Sequence, residues 1–151
     1  MTTNRRSEIA DLLGTELKKI DGGTSTFDDS YTYNVNLFDN VFRGVKFLDE
    51  VNDFPAIYLA VGAEIREFES LNLTLADIDI TIRAYVYGED NSQSLSDDLL
   101  EDIEHVIYSL GDYPDKGIQD IIIESITVDE GLVEPYGLAE VNLQVAYRLE
   151  N

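Results

Sequence analysis

Cysteine is absent from the 151 residues, which removes disulfide frameworks, thiol catalysis and thiolate metal sites. Histidine occurs once, as His105, so no site can draw two imidazoles from one chain. Ser–His–Asp chemistry would rest on that one ring, which lies in a helical pattern beside Glu104, where an ordinary boundary histidine is the plainer account. Basic residues are scarce, 10 against 31 acidic, for a formal net charge of -21. Such a chain does not grip nucleic acid by neutralising phosphates, because that mode needs cations to release counterions. No apolar run approaches the ~18 residues that suggest a membrane span, and no membrane partner is expected. The opening MTTNRRSEIADLL has two arginines but no apolar signal-peptide core. The expectation is a soluble protein, cytoplasmic during its synthesis.

A hydrophobic fraction of 44% is enough for one continuous core, and the length suits a single domain over residues 1–151. The acidity admits two readings, plain solubility or a surface that comes near DNA without adhering to it. The few cations are unevenly placed. Arg5, Arg6, Lys18, Lys19, Arg43 and Lys46 precede residue 49, and only Arg66, Arg83, Lys116 and Arg148 follow. A less acidic flank can then face a more acidic one, which permits head-to-tail association of copies.

Ile9, Leu12, Leu13, Leu17 and Ile20 make the one-sided stripe of an amphipathic helix over 4–20. Lys18 and Lys19 suit its last turn, and Gly22–Gly23 supply a stop. A polar loop (21–30) leads to a short strand, YTYNV (31–35). Residues 37–53 read as a strand with a bulge, with Val41 and Val45 flanking Arg43 and Gly44 interrupting. In FPAIYLAVGAE (54–64), Pro55 opens a buried strand, Gly62 releases the chain into a turn or bulge, and Glu64 marks the return to solvent. LTLADIDITIRAYVY (73–87) alternates clearly: Ile78, Ile80, Ile82, Ala84 and Val86 share one face, opposite Asp77, Asp79, Thr81, Arg83, Tyr85 and Tyr87. Leu73 and Leu75 fall out of phase, suggesting a bulge near Ala76. After the loop GEDNSQS (88–94), Ser94 is a plausible N-cap for a second helix carrying Leu95, Leu99, Ile103, Val106, Ile107 and Leu110. A turn-rich connection (111–117) precedes a strand at 118–128, whose triple isoleucine implies burial on both faces. A last strand alternates over 139–149. Two one-faced helices against a largely antiparallel or mixed sheet is an α+β fold.

Three constellations could carry chemistry. Asp97, Asp98, Glu101 and Asp102 share helix faces at spacings a divalent metal accepts, although the helix dipole already accounts for acids near a helix start. Asp77 and Asp79 project from one strand face roughly 7 Å apart, with no pocket indicated. Tyr85 and Tyr87 sit on the polar face of their strand, which suggests a partner covering part of it. No residue emerges as catalytic or metal-binding, and no cofactor is expected.

The order of elements is similar to that of the tail terminator proteins of long-tailed bacteriophages. The likeness runs from the helix RRSEIADLLGTELKKI through FRGVKFLDEVNDFPAIYLAVGAE and LADIDITIRAYVYG to the helix LSDDLLEDIEHVIYSL and the closing LAEVNLQVAYRLEN. The resemblance implies a non-enzymatic virion protein, a homo-oligomeric and hexameric ring at the head-proximal end of the tail. Its implied partners are the tail tube protein and the head-to-tail connector or neck protein, with assembly in the host cytoplasm. Under that reading, Asp97, Asp98, Glu101, Asp102, Glu89 and Asp90 are candidates to line a channel for passing DNA. Arg5, Arg6, Lys18, Lys19, Arg83, Tyr85 and Tyr87 are candidates for subunit contacts. A neck or head-completion protein is the alternative of the same class. An acidic metal-dependent enzyme and a free acidic binding module are alternatives from other classes.

Overall fold

The computed structural model describes residues 5–44, 46–71, 73–110 and 118–150, with Arg5 and Glu150 described as backbone alone. Helix α1 is Arg5–Leu17. Its stripe seats it, with Ile9, Leu13 and Leu17 buried and Ile20 buried just beyond. The helix stops earlier than the periodicity suggests because its end tightens: Lys19 and Ile20 donate their N–H groups to carbonyls only three residues back. Lys18 and Lys19 therefore lie past the last helical turn. Gly14, inside α1, costs the helix about 1 kcal/mol relative to alanine, yet among the described residues no atom beyond its own helix turns lies within 4 Å of where its Cβ would stand.

Residues 31–35 do not form the expected strand. The isolated bridges Asp21–Asn36 and Thr24–Thr32 tie 21–36 into a loop. Turn chemistry prevails there, since the Asp28 carboxylate accepts from both the N–H and the hydroxyl of Ser30. The expected bulged strand over 37–53 shrinks to β1, Val41–Arg43, because Gly44 leaves it at φ +94°; Val45 lies outside the described residues. A single 3-10 turn, Leu48–Glu50, follows.

Strands β2 (Ala56–Ser70) and β3 (Leu73–Tyr87) form a long hairpin. Gly62 does mark a bulge, since the register shifts between Val61 and Glu64. The strand then resumes, and Glu64 lies opposite Ile78 with its side chain only 6% exposed. The expected return to solvent at Glu64 is thus wrong: β2 continues on its pairing with β3. No bulge occurs at Ala76 either. β3 pairs without interruption from Leu73 to Tyr87 against β5, Tyr136–Glu150, and the out-of-phase leucines are half-buried on the other face.

Helix α2, Ser92–Leu110, starts two residues before the expected cap and buries Leu99, Ile103, Val106, Ile107 and Leu110. The 111–117 connection lies outside the described residues. In β4, Ile118–Val128, the triple isoleucine divides: Ile121 is buried, while Ile122 faces solvent. The reason is topological. The sheet order is β1-β2-β3-β5-β4, with β4 at one edge, and both helices lie on a single face, which leaves the other face of β4 to solvent.

β1 pairs parallel to β2 and the other neighbours are antiparallel, giving the mixed sheet of an α+β fold. Both helices cover one face, where Ile78, Ile80, Ile82, Val141, Leu143 and Val145 meet α1 and α2 in the main core. A smaller cluster of Val51, Ala56, Tyr58 and Tyr85 lies apart. Gly137 lets β5 approach α2: a Cβ there would meet the Ser96 hydroxyl, Val86 Cγ2 at 2.6 Å and the Ser92 carbonyl at 2.9 Å.

Candidate assembly surfaces

Five of the six carboxylates expected to face a channel stand exposed: Glu89 and Asp90 in the turn before α2, then Asp97, Asp98 and Glu101 along it. Asp102 does not. It has no exposed surface, because α2 turns it inward onto the 31–35 segment. Its carboxylate accepts from the Tyr31 hydroxyl at 2.8 Å and from the backbone N–H groups of Asn34 and Val35 at 3.0 Å. Burial pushes its pKa up, opposed by those hydrogen bonds and assisted by the charge of Glu101. Asp102 is thus an internal clamp and leaves the set of channel candidates. With it goes the metal-ligand spacing, and among the described residues no group of three or more His, Asp or Glu is placed to hold a metal ion.

His105 belongs to the same clamp. Its ring stacks on Tyr31 with centroids 3.9 Å apart, and its Nε2 lies 2.7 Å from the Ser25 hydroxyl. That hydroxyl also accepts from the Phe27 N–H. Two turns of α2 thereby fasten the 21–36 loop through polar contacts.

On the sheet face away from the helices, Arg83 pairs with Glu140 across the strands at 3.2 Å. Tyr85 is covered by its own chain. It is buried against Tyr58 and Val51, and its hydroxyl donates to the Lys46 carbonyl. The expected partner over Tyr85 is therefore residues 46–58 of the same chain, and Tyr85 is withdrawn as a subunit contact. Tyr87 remains 46% exposed, in a row with Tyr136 and Phe54.

The cations near the N-terminus gather along α1 and β1. Arg6 donates to the Gly62 carbonyl at 2.6 Å and stands 3.9 Å from Glu64. Lys19 pairs with Glu16 and Arg43 with Asp11. Lys18 is exposed, and the Arg5 side chain lies outside the described residues. Glu64 also accepts from Arg66 and from the Tyr147 hydroxyl. Burial alone would raise its pKa, but the Tyr147 and Arg66 hydrogen bonds and the charges of Arg66 and Arg6 hold it below the usual value. The Tyr147 hydroxyl, buried beside that carboxylate, is pushed up to about 12.

Two surfaces escape a reading of the sequence. One is the hairpin tip beyond Glu64, where Ile65, Phe68 and Leu71 are 71%, 71% and 86% exposed. The reading that ends β2 at Glu64 hides it. The other is a cavity of about 190 Å³ between α1 and β1, bordered by Gly14, Lys18, Phe42 and Arg43. Its only signal is an unexplained glycine inside a helix.

A family profile described as Bacteriophage Tail Tube Terminator Protein matches residues 3–151. The tail tube terminator protein of Escherichia phage T5 is 29% identical over 157 residues, covering 96% of this chain and 94% of that protein. A chain from the virion of a native gene transfer agent particle is similar in structure over 92% of this chain and 95% of its own, with a TM-score of 0.48 and 9% identity. That last likeness is too loose to build on.

Proposed function

Since the chain belongs to the bacteriophage tail tube terminator family, we propose that it closes the head-proximal end of the tail tube as a homo-oligomeric ring. It is a structural protein of the phage tail, and its family associates with tail tube components. The ring, six-membered by family resemblance, stops tube polymerisation and presents a surface to the head connector. Its 151 residues act as one unit, assembled in the host cytoplasm. The DNA passes a wall of carboxylates that repels phosphate over a Debye length of about 8–10 Å, with Glu89, Asp90, Asp97, Asp98 and Glu101 as lining candidates.

The observation that carries this reading beyond family membership is the segregation of charge. Arg6 on α1, Lys18 and Lys19 just past its end and Arg43 on β1 make a less acidic flank, although Glu8, Asp11 and Glu16 lie among them, whereas the exposed acidic row of α2 has no Lys or Arg on its helix. Identical chains with two unlike patches associate heterologously, and such contacts close into a ring when the rotation between neighbours closes. Arg83 and Tyr87 offer a second, weaker contact on the open sheet face.

Native mass measurement of the chain, alone and with tube subunits, tests the ring. Neutralising Arg5, Arg6, Lys18 and Lys19 together is expected to weaken it. A wild-type chain that stays monomeric in both conditions refutes it. A map of assembled tails with the α2 carboxylates facing outward removes the channel assignment and leaves the ring.

A further inference from the structure

We infer that the subunit contact is a plug and socket: the β2–β3 hairpin tip of one copy enters the groove between α1 and β1 of the next. This rests on the ring reading above and names the surfaces that make it.

The tip is apolar on both faces of its strand. Ile65 lies opposite Asp77 and Phe68 opposite Thr74, which puts them on opposite sides, and Leu71 stands at the turn. Apolar side chains on both faces suit insertion between two walls better than lying flat on one. Glu67 and Glu69, both exposed, flank Phe68.

The groove answers each feature. Its border carries two cations, Lys18 and Arg43, against one carboxylate, Asp11, and Phe42 is an exposed apolar wall. No ion pair among the described residues engages Lys18. Arg43 is held only by the exposed Asp11, in a pair whose two side chains are 49% and 71% exposed, and solvent screens such a pair. Gly14 forms the floor. Among the described residues nothing needs the missing side chain, since no atom beyond its own helix turns comes within 4 Å of a Cβ there. A glycine that weakens its helix without serving a local contact is explained by a visitor that approaches the helix backbone.

The tip cannot fill its own groove. Leu59, which lines the groove, and Phe68 are separated along β2 by about 30 Å of extended strand. The visitor must be a second copy. The two patches differ, so the contact is heterologous, as ring closure requires.

The test uses the full chain. Phe68→Asp with Leu71→Asp is expected to lower the assembled fraction at least ~10-fold while leaving the monomer's unfolding midpoint unchanged, because both side chains are exposed. Gly14→Phe should block the socket equally, with a midpoint no lower than wild type, because phenylalanine favours helix over glycine. The absence of native cysteine permits a direct probe. A chain carrying both Lys18→Cys and Glu69→Cys should yield a ladder of covalent multimers with a short bis-maleimide, and each single variant should not. Rings that persist in the Phe68→Asp/Leu71→Asp and Gly14→Phe variants, or that give no ladder, overturn the plug and socket but leave the ring. A wild-type chain monomeric alone and with tube subunits overturns both.

Discussion

Replacing Asp102 by alanine should be among the most damaging single changes available in this chain. The substitution strands the Tyr31 hydroxyl and the backbone N–H groups of Asn34 and Val35, which now donate to the carboxylate at 2.8–3.0 Å. A hydrogen bond to a charged group contributes about 1.5–3 kcal/mol, so three of them set a ceiling near 9 kcal/mol by that principle. Two effects reduce it. Tyr31 and Asn34 are partly exposed and regain water, and the cost of burying the charge, visible in the raised pKa, is recovered. The net loss should be about 3–5 kcal/mol, since each neutral donor left without its acceptor costs about 1–3 kcal/mol where water does not reach it. At roughly 2–4 °C per kcal/mol for a protein of this size, Tm should fall by about 6–20 °C. Circular dichroism melts at matched concentration measure this, and hydrogen exchange at Asn34 and Val35 locates it.

The pH dependence of that deficit has a definite sign. With a folded pKa above 3.8, the folded chain binds a proton before the unfolded chain as pH falls. Wild type therefore gains stability from this group on acidification towards 3.8, and the alanine variant does not, so the deficit widens. A variant within about 0.5 kcal/mol of wild type, the range of a neutral surface change, would refute the clamp.

Glu64 titrates in the opposite sense. Its folded pKa lies below 4.5, so its contribution is fully present above pH 4.5 and is lost as pH falls through the folded value; denaturant titrations of Glu64→Gln should show a stability gap to wild type that closes over that acid range. Gly137→Val should cost about 1–3 kcal/mol by overpacking, seen as a lower denaturation midpoint with an unchanged slope, because the Ser92 carbonyl 2.9 Å from the new Cβ belongs to the helix backbone and cannot rotate away.

The long, regular elements were legible in the sequence because periodicity reports burial. The face Ile78–Ile80–Ile82–Ala84–Val86 and the α2 stripe from Leu99 to Leu110 are buried as their spacing predicts, with Leu95 half-buried at the start of the helix. Errors fall where burial is one-sided or irregular. The triple isoleucine of β4 looks doubly buried, but the helices cover one face of the sheet only, an arrangement of layers that periodicity does not encode. Tyr33 is buried without being in a strand, because a polar loop is folded over it. Asp102 reads as one more acid on a helix face, and only the arrival of the 31–35 backbone, some seventy residues earlier in sequence, makes it internal. Tyr85 misleads in the same way, since its cover comes from the segment around Val51.

The strand order also dictates a sequence of events during translation. β4 leaves the ribosome before β5, yet among the described residues its one neighbour in the sheet is β5, which lies between β4 and β3. Without β5, the edges of β3 and β4 that it joins have no partner, the situation that favours mispairing between neighbouring nascent chains. Chains of charge -21 repel one another, which opposes such mispairing before there is any tail to build.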